Sequence, residues 1–440
     1  MRRFARLVCI VILLFGSETL APGTARGQGN IPLERDRMKD ILSVVSKEIE
    51  KNYFDPQLKG LDWKGLTAQA REKIEKAGTV SDMVTAIFAL VDKLEDSHTI
   101  FLPPGRVARI KFGFNAKAYG DEIRVYEVKK NSAAEAAGLQ PGDRITSLNG
   151  YKVERATWQK MMLYFRSLQP VSRMEMGIVR GDQPVQKITV DAKVEHGQQV
   201  RDLTQIDTIY QLIREEQAEI GDDDKYHYGQ HRDGIGYVEF RGFPNNMDLL
   251  DGLVGKIKNS KAVLVDLRGN PGGSVNALAA TAGHFDAEAS ALMDMVGRKK
   301  TETVKVKPHQ PQLSGPMFIL VDSETASAGE IFARHFQVSG RAKVIGDQTS
   351  GQVVAAHFNS EKMGLDYAVM YGLEISVARV VFPGGEELEK RGVTPDIKCL
   401  PTGEQLHQKQ DMCRALAYSL ARKALSLPEE SNNKIEIKPN

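Results

Sequence analysis

The chain has 440 residues, of which 41% are hydrophobic and 26% charged, a balance typical of two or three globular domains and not of a disordered protein. Its 59 Lys and Arg residues are matched by 57 Asp and Glu residues, and the two signs are mixed along the chain. No block of basic residues marks a nucleic-acid surface, so nucleic acid is not expected as a partner.

The first 29 residues have the pattern of a secretory signal peptide. Basic residues come first, an apolar run follows from Leu7 to Phe15, and small and polar residues lead to Gly29. The apolar run is too short to span a bilayer, although an uncleaved anchor stays open as the alternative. We therefore expect an exported protein, periplasmic or secreted, with no transmembrane segment in its mature part. Proximity to a membrane is left open.

Residues 31–105 form a helical lead-in. Apolar residues recur at helical spacing from Met38 to Ile74, and a further helix is predicted from Val80 to Leu94, with Ser81 as its candidate cap. The helical pattern stops at Asp-Ser-His-Thr, followed by a short apolar run and the breaker Pro-Pro-Gly. Ser97 and His98 thus lie at a junction between helix and strand, where side chains can point into a cleft.

Residues 106–195 change to short strands and turns. The run Gly-Leu-Gln-Pro-Gly-Asp-Arg-Ile and the Asn-Gly that follows it resemble a PDZ domain. The resemblance implies a small β-barrel that binds peptides or unfolded protein C-termini as an added strand. The loop that holds the terminal carboxylate would be Lys111, Phe112, Gly113 and Phe114. A barrel that serves only as a spacer is the alternative.

Residues 196–400 indicate an α/β core. After an acidic helical stretch from Thr204 to Lys225, apolar runs beginning at Ile235, Ala262, Met317 and Ala342 alternate with helical segments. This pattern predicts a central, largely parallel sheet covered by helices on both faces. The active site of such a sheet lies outside the carboxyl ends of its strands. Residues 401–440 are predicted to form a C-terminal helix and tail.

Two turns after these strands could carry chemistry. The turn Asp-Leu-Arg-Gly-Asn-Pro-Gly-Gly, which begins at Asp266, exposes backbone N–H groups that can hold a developing oxyanion, and it lacks the Lys-Ser/Thr ending of a phosphate loop. The turn after the third strand places Ser327 at the N-terminus of a helix, open to a substrate. On local evidence alone, Ser327 could equally be a helix cap.

The order of these motifs decides between the alternatives. Asp-Ser-His-Thr, the PDZ-like insert, Asp-Leu-Arg-Gly-Asn-Pro-Gly-Gly, Thr-Ala-Ser-Ala-Gly-Glu-Ile-Phe-Ala, Gly-Asp-Gln-Thr-Ser-Gly and Gly-Val-Thr-Pro-Asp-Ile together resemble the C-terminal processing (tail-specific) peptidases and their tricorn-core relatives. The resemblance covers nearly all of the mature chain. It implies a ClpP/crotonase-like core and ATP-independent cleavage of exported proteins or peptides without a cofactor.

The resemblance also implies roles for individual residues. Ser327 would be the nucleophile, and the N–H groups of Ala328 and of Gly272 or Gly273 would receive the oxyanion. Relatives of the Ser-Lys type place a lysine where this chain has Gln352, and an amide cannot accept the serine proton. A simple Ser-Lys dyad is therefore excluded.

The tricorn-core relatives use a Ser-His dipeptide and a late glutamate, which correspond here to Ser97, His98 and Glu389. Histidine can take and return a proton near neutral pH, and a carboxylate can orient it. Glu386 and Glu387 stay open as the acidic partner. A catalytically inactive homologue that acts as a peptide-binding scaffold is the alternative function.

The remaining histidines and cysteines give no indication of a metal site. The histidines show no metal-ligand spacing, so each is expected to be a surface or packing residue and a metallopeptidase has no support. They are His196, His227, His231, His284, His309, His335, His357 and His407. Cys399 and Cys413 could pair in an oxidising compartment and tie the last strand to the C-terminal helix, or they could be unrelated thiols.

Overall fold

The computed structural model describes residues 31–104, 108–196, 226–363, 369–428 and 437–439. The predicted signal peptide and the acidic helix predicted over 204–225 lie outside these ranges. Within them, every helix is too short or too polar to cross a membrane.

The described helices and strands are numbered separately in chain order. The α-helices are α1 (Ile31–Asn52), α2 (Trp63–Lys76), α3 (Val80–Val91), α4 (Ala133–Ala136), α5 (Trp158–Leu163), α6 (Met247–Lys256), α7 (Val275–Ala282), α8 (Ala328–Val338), α9 (Gly403–His407) and α10 (Met412–Ala424). The strands are β1 (Ile100–Leu102), β2 (Ala108–Lys111), β3 (Phe114–Tyr119), β4 (Glu122–Val128), β5 (Arg144–Leu148), β6 (Tyr151–Lys152), β7 (Arg173–Val179), β8 (Gln186–Asp191), β9 (Lys193–His196), β10 (His227–Gln230), β11 (Ile235–Glu239), β12 (Ala262–Asp266), β13 (Ser290–Gly297), β14 (Thr301–Val306), β15 (Met317–Val321), β16 (Ala342–Gly346), β17 (Val354–Met363), β18 (Val369–Val381), β19 (Ile397–Lys398) and β20 (Ile437–Pro439).

The N-terminal helices α1–α3 pack on an antiparallel sheet. Its strand order is β1-β18-β13-β14, and β17 pairs with β18 as well. Ile41 and Ile49 of α1 are fully buried in one cluster with Leu373 of β18. The cap of α3 is Thr79, whose hydroxyl accepts a hydrogen bond from the N–H of Asp82. The prediction of Ser81 as the cap was wrong, because Ser81 lies inside the first turn of the helix.

The insert forms a small unit with its own core. Six strands give the order β3-β4-β5-β7-β8, with β6 on β5, and β2 pairs with β9 where the chain enters and leaves. Buried Phe114, Val125, Ile145 and Met174 belong to a hydrophobic cluster confined to this unit. The short helices α4 and α5 complete it.

The core sheet has the order β19-β16-β15-β12-β11-β10-β20. The four predicted apolar runs are β11, β12, β15 and β16, and they are parallel to one another, which confirms the predicted fold class. Helices α6, α7 and α8 cover one face and α10 covers the other. The four parallel strands are largely apolar because both faces of the sheet are covered. The turns after β12 and β15 therefore meet at one edge of the sheet.

A disulfide joins Cys399 and Cys413, whose Cα atoms lie 5.7 Å apart. It connects the segment after β19 to the start of α10. The sequence left open whether these cysteines pair or are unrelated thiols, and in the structure they pair.

Candidate active site

Ser327 stands between β15 and α8 in a conformation rarely adopted by residues other than glycine, with φ 52° and ψ −120°. Its N–H donates to the carbonyl oxygen of Gln352, 3.0 Å away, and to Oε2 of Glu330, also 3.0 Å away. Such backbone strain persists only where the surroundings hold it, and it is frequent at active sites.

Asp322 organises the turn that leads to Ser327. Its carboxylate accepts hydrogen bonds from the N–H groups of Gly269 at 2.9 Å and Thr325 at 3.0 Å, and from the Lys117 ammonium at 2.6 Å. Burial alone would raise the pKa of Asp322, but Lys117 and the donated hydrogen bonds outweigh it and lower the pKa to about 2. Since Lys117 belongs to β3, this buried ion pair links the insert to the turn.

His98 follows a turn that Asp96 builds. Oδ1 of Asp96 accepts hydrogen bonds from the N–H groups of His98 and Thr99, which fixes the junction before β1. Nε2 of His98 lies 3.4 Å from Oγ of Ser327, and Nδ1 lies 2.8 Å from Oγ of Ser97. Burial lowers the pKa of His98 to about 4. The imidazole is therefore neutral near pH 7.

Glu389 completes this chain of contacts through Ser97. Its Oε2 accepts a hydrogen bond from the Ser97 hydroxyl at 2.9 Å, and its Oε1 accepts one from the Ser97 N–H at 3.0 Å. Because the single hydroxyl proton of Ser97 points to Glu389, Oγ can only accept from Nδ1–H of His98. This assigns the tautomer whose Nε2 lone pair faces Ser327.

The two other candidate acids are engaged elsewhere. Glu386 pairs with Arg334 at 2.8 Å, and Glu387 pairs with Arg379. Of the three candidates, Glu389 is the one in contact with Ser97.

The glycine turn after β12 lies against Ser327. A Cβ atom on Gly272 would lie 2.6 Å from Cβ of Ser327 and 3.0 Å from the nitrogen of Ala328. However, the N–H of Gly272 donates to Oδ1 of Asn270 at 2.7 Å and is already used. Within the described part of the chain, the N–H groups of Gly273 and Ala328 donate to no other residue. Of Gly272 and Gly273, the two predicted N–H donors to the oxyanion, Gly273 is therefore the better candidate.

Asn270 and Glu330 support the site, although neither residue was assigned a role from the sequence. Asn270 is fully buried, donates to the carbonyl oxygen of Phe240 at 2.7 Å and accepts from the N–H of Ala326 at 2.8 Å, so it joins the two turns. Glu330 is fully buried and accepts hydrogen bonds from the N–H groups of Ser327, Gly351 and Gln352. Glu330 follows Ser327 by three residues at the start of a helix, which is the spacing of a capping box. This spacing could have indicated the role of Glu330 from the sequence.

Burial raises the pKa of Glu330 to about 7 even though several hydrogen bonds favour its ionised form. The carboxyl group that holds the Ser327 backbone thus changes charge near neutral pH.

A cavity lies between the insert and the segments beside Ser327. Its volume is about 230 Å³, and it is lined by Phe114, Ala116 and Trp158 of the insert, by Ser97 before β1, and by Ala326 and Gln352 of the core. The Gln352 side chain lies 3.4 Å from that of Gln159 in α5. The cavity therefore lies between the insert and Ala326, the residue that precedes Ser327.

The predicted carboxylate loop borders this cavity through Phe114. Gly113 has φ 89°, its carbonyl oxygen accepts from the N–H of Lys129, and Phe112 and Phe114 beside it are buried. Lys111 ends β2. At the edge of β3 that faces α5, the indole N–H of Trp158 donates to the carbonyl oxygen of Ala116 at 3.1 Å.

Two family models match parts of the chain. Residues 234–399 match the model of peptidase family S41, and residues 102–168 match that of the PDZ domain. The chain is 24% identical over 354 residues to "Carboxyl-terminal-processing peptidase 1, chloroplastic" of Arabidopsis thaliana, a match that covers 75% of this chain and 65% of that protein. It is 22% identical over 368 residues to "Carboxy-terminal processing protease CtpA" of Bacillus subtilis, covering 76% of this chain and 72% of that protein.

The fold is similar to that of a solved structure. The crystal structure of mature CPAF superposes with a TM-score of 0.65 at 12% identity, covering 92% of this chain and 100% of the other. At this identity the likeness concerns the fold alone.

Proposed function

We propose that this chain, a PDZ-containing member of peptidase family S41, is an ATP-independent serine endopeptidase in which Ser327 attacks the peptide carbonyl. The observation that carries the proposal is the distance of 3.4 Å between Nε2 of His98 and Oγ of Ser327. A base at this distance can take the hydroxyl proton once a substrate tightens the site. It then returns the proton to the leaving amine, and water hydrolyses the acyl-enzyme by the same route.

Ser97 and Glu389 orient the base in this proposal. The contacts from Glu389 through Ser97 to Nδ1 support a neutral imidazole with the correct tautomer and would stabilise the imidazolium that forms. Lys117 is not the base in this proposal. Although burial alone would lower the pKa of Lys117, Asp322 raises it well above its usual value, so this ammonium keeps its proton.

The N–H groups of Gly273 and Ala328 would receive the oxyanion. Both lack partners among the described residues, and both belong to the turns that meet at Ser327. The positive end of α8 adds to the stabilisation of negative charge there.

The proposed substrates are extended C-terminal segments of exported proteins. A peptide added to β3 would run through the cavity that Ser97, Ala326 and Gln352 also line. This arrangement supports delivery of the bound segment to Ser327.

A fluorophosphonate probe on the mature chain tests the proposal. Labelling is expected in the parent chain and in His407→Ala, whose histidine is exposed on α9, but not in Ser327→Ala. In His98→Ala it should fall sharply. Absence of labelling in the parent, even with a saturating peptide, would support the alternative function of an inactive peptide-binding scaffold. The observation that favours this alternative is Gln352 in place of the lysine of the Ser-Lys relatives.

A further inference from the structure

A cluster of metal-ligating side chains lies away from Ser327, on the helical face of the core. It consists of Asp251 in α6, His284 just after α7 and His309 after β14. Nε2 of His284 lies 3.0 Å from Oδ1 of Asp251, and Nε2 of His309 lies 3.1 Å from Oδ2. Their three ligand atoms all lie within 4.8 Å of one another, and among the described residues this is the one such group.

The hydrogen bonding of His284 aims a lone pair at this cluster. The ring is fully buried, and its Nδ1 lies 3.0 Å from the carbonyl oxygen of Pro311, which can only accept. Nδ1 therefore carries a proton, and in the neutral ring Nε2 has the lone pair. Nε2 faces Oδ1 of Asp251, which is also an acceptor. Two acceptor atoms only 3.0 Å apart need a positively charged proton or metal ion between them.

We propose that this positive charge is a divalent transition-metal ion, Zn²⁺ above all, bound by Nε2 of His284, Nε2 of His309 and a carboxylate oxygen of Asp251. Two imidazoles and one carboxylate suit zinc better than Ca²⁺ or Mg²⁺, which prefer oxygen. The backbone carbonyl on Nδ1 is the outer partner that zinc-bound histidines usually have. Asp251 and His309 have side chains 36% and 46% exposed, so the ion can enter and water can take the fourth position.

The role of this site is structural. The ion joins α6, the end of α7 and the segment after β14. Helix α7 begins at Val275, two residues after Gly273, and rises about 12 Å along its eight residues. The metal therefore fixes the far end of the helix that follows the glycine turn, while Ser327 stays outside its reach.

The test is calorimetric titration of ZnSO₄ into the metal-free mature chain, carried on a Ser327→Ala background to prevent self-cleavage. One equivalent should bind, and His309→Ala should weaken binding at least about tenfold. His407→Ala, an exposed histidine outside the cluster, should bind like the parent. MgCl₂ should not compete.

Two further measurements separate a built site from surface histidines. Zn²⁺ should raise the thermal midpoint of the parent but not of His309→Ala. Co²⁺ should give the visible absorption bands of a low-coordinate ion in the parent but not in His309→Ala. Binding that is absent, or equal in the parent and His309→Ala, would overturn the proposal and leave a hydrogen bond between His284 and Asp251. Because His309 is partly exposed, its replacement is not expected to prevent folding.

Discussion

The carboxylate of Glu389 accepts a hydrogen bond from the hydroxyl of Ser97, 2.9 Å away, although 292 positions separate the two residues in the chain. The acid therefore reaches the imidazole of His98 through a serine hydroxyl. A hydroxyl can donate one hydrogen bond and accept another at the same time. The Ser97 hydroxyl therefore orients the His98 ring in the way that a carboxylate in direct contact with the ring would.

Ser97→Ala should lower kcat about 100-fold with little change in KM, because the imidazole loses the contact that fixes its tautomer. Ser97→Thr, which keeps the hydroxyl, should retain most of the activity. Steady-state kinetics with a fluorogenic peptide measures both. Unchanged kcat in Ser97→Ala would exclude the orienting role of this hydroxyl.

The pH dependence of activity should report Glu330. Its pKa is raised to about 7, and the ionised form accepts the N–H groups that hold Ser327, so kcat/KM should rise as pH increases through about 7. In Glu330→Gln this step should be absent and kcat lower, whereas Glu386→Gln should keep the parental profile. A parental profile with no step near pH 7 would contradict the prediction.

Gly272→Ala should reduce fluorophosphonate labelling at least about 100-fold, since the added Cβ would lie 2.6 Å from Cβ of Ser327 and crowd the Ala328 N–H. Gly340→Ala is the matched control. Its glycine also has positive φ, at 70°, but a Cβ there would meet no atom within 4 Å. Equal labelling of the two variants would show that space beside Ser327 is not required.

Trp158→Phe should strengthen peptide binding to the insert. A peptide strand added to β3 competes with the indole N–H for the carbonyl oxygen of Ala116, and one such hydrogen bond is worth about 1 kcal/mol, or about fivefold in Kd. Fluorescence anisotropy on the Ser327→Ala background can measure this with a labelled peptide ending in Val-Val-Leu.

The same peptide with an amidated C-terminus is the control for carboxylate recognition. It should bind more weakly to both proteins. Weaker binding of the free-acid peptide to Trp158→Phe would mean that the indole supports the groove instead of blocking it.

The core strands and the turns that carry the reactive groups could be predicted from the sequence, because they depend on short-range patterns of residue types. Continuous apolar runs predicted β11, β12, β15 and β16, since a strand buried on both faces must be apolar throughout. The turns at Gly272 and Ser327 were predicted because strand-to-helix junctions with small residues expose the backbone. The cap of α3 was misread because Thr79 and Ser81 have equivalent side chains, and only the backbone angles separate them.

By itself, the sequence determined which chemical groups the chain carries, in what order, and which segments become strands, helices and turns, because these follow from residue type and short-range periodicity. Only the tertiary structure decided that Glu389 and not Glu386 reaches Ser97, that Gly273 keeps its N–H available, and that His284 and His309 converge on Asp251. These relationships join segments far apart in the chain. Their distances depend on how two sheets and the helices between them pack, which no local pattern encodes.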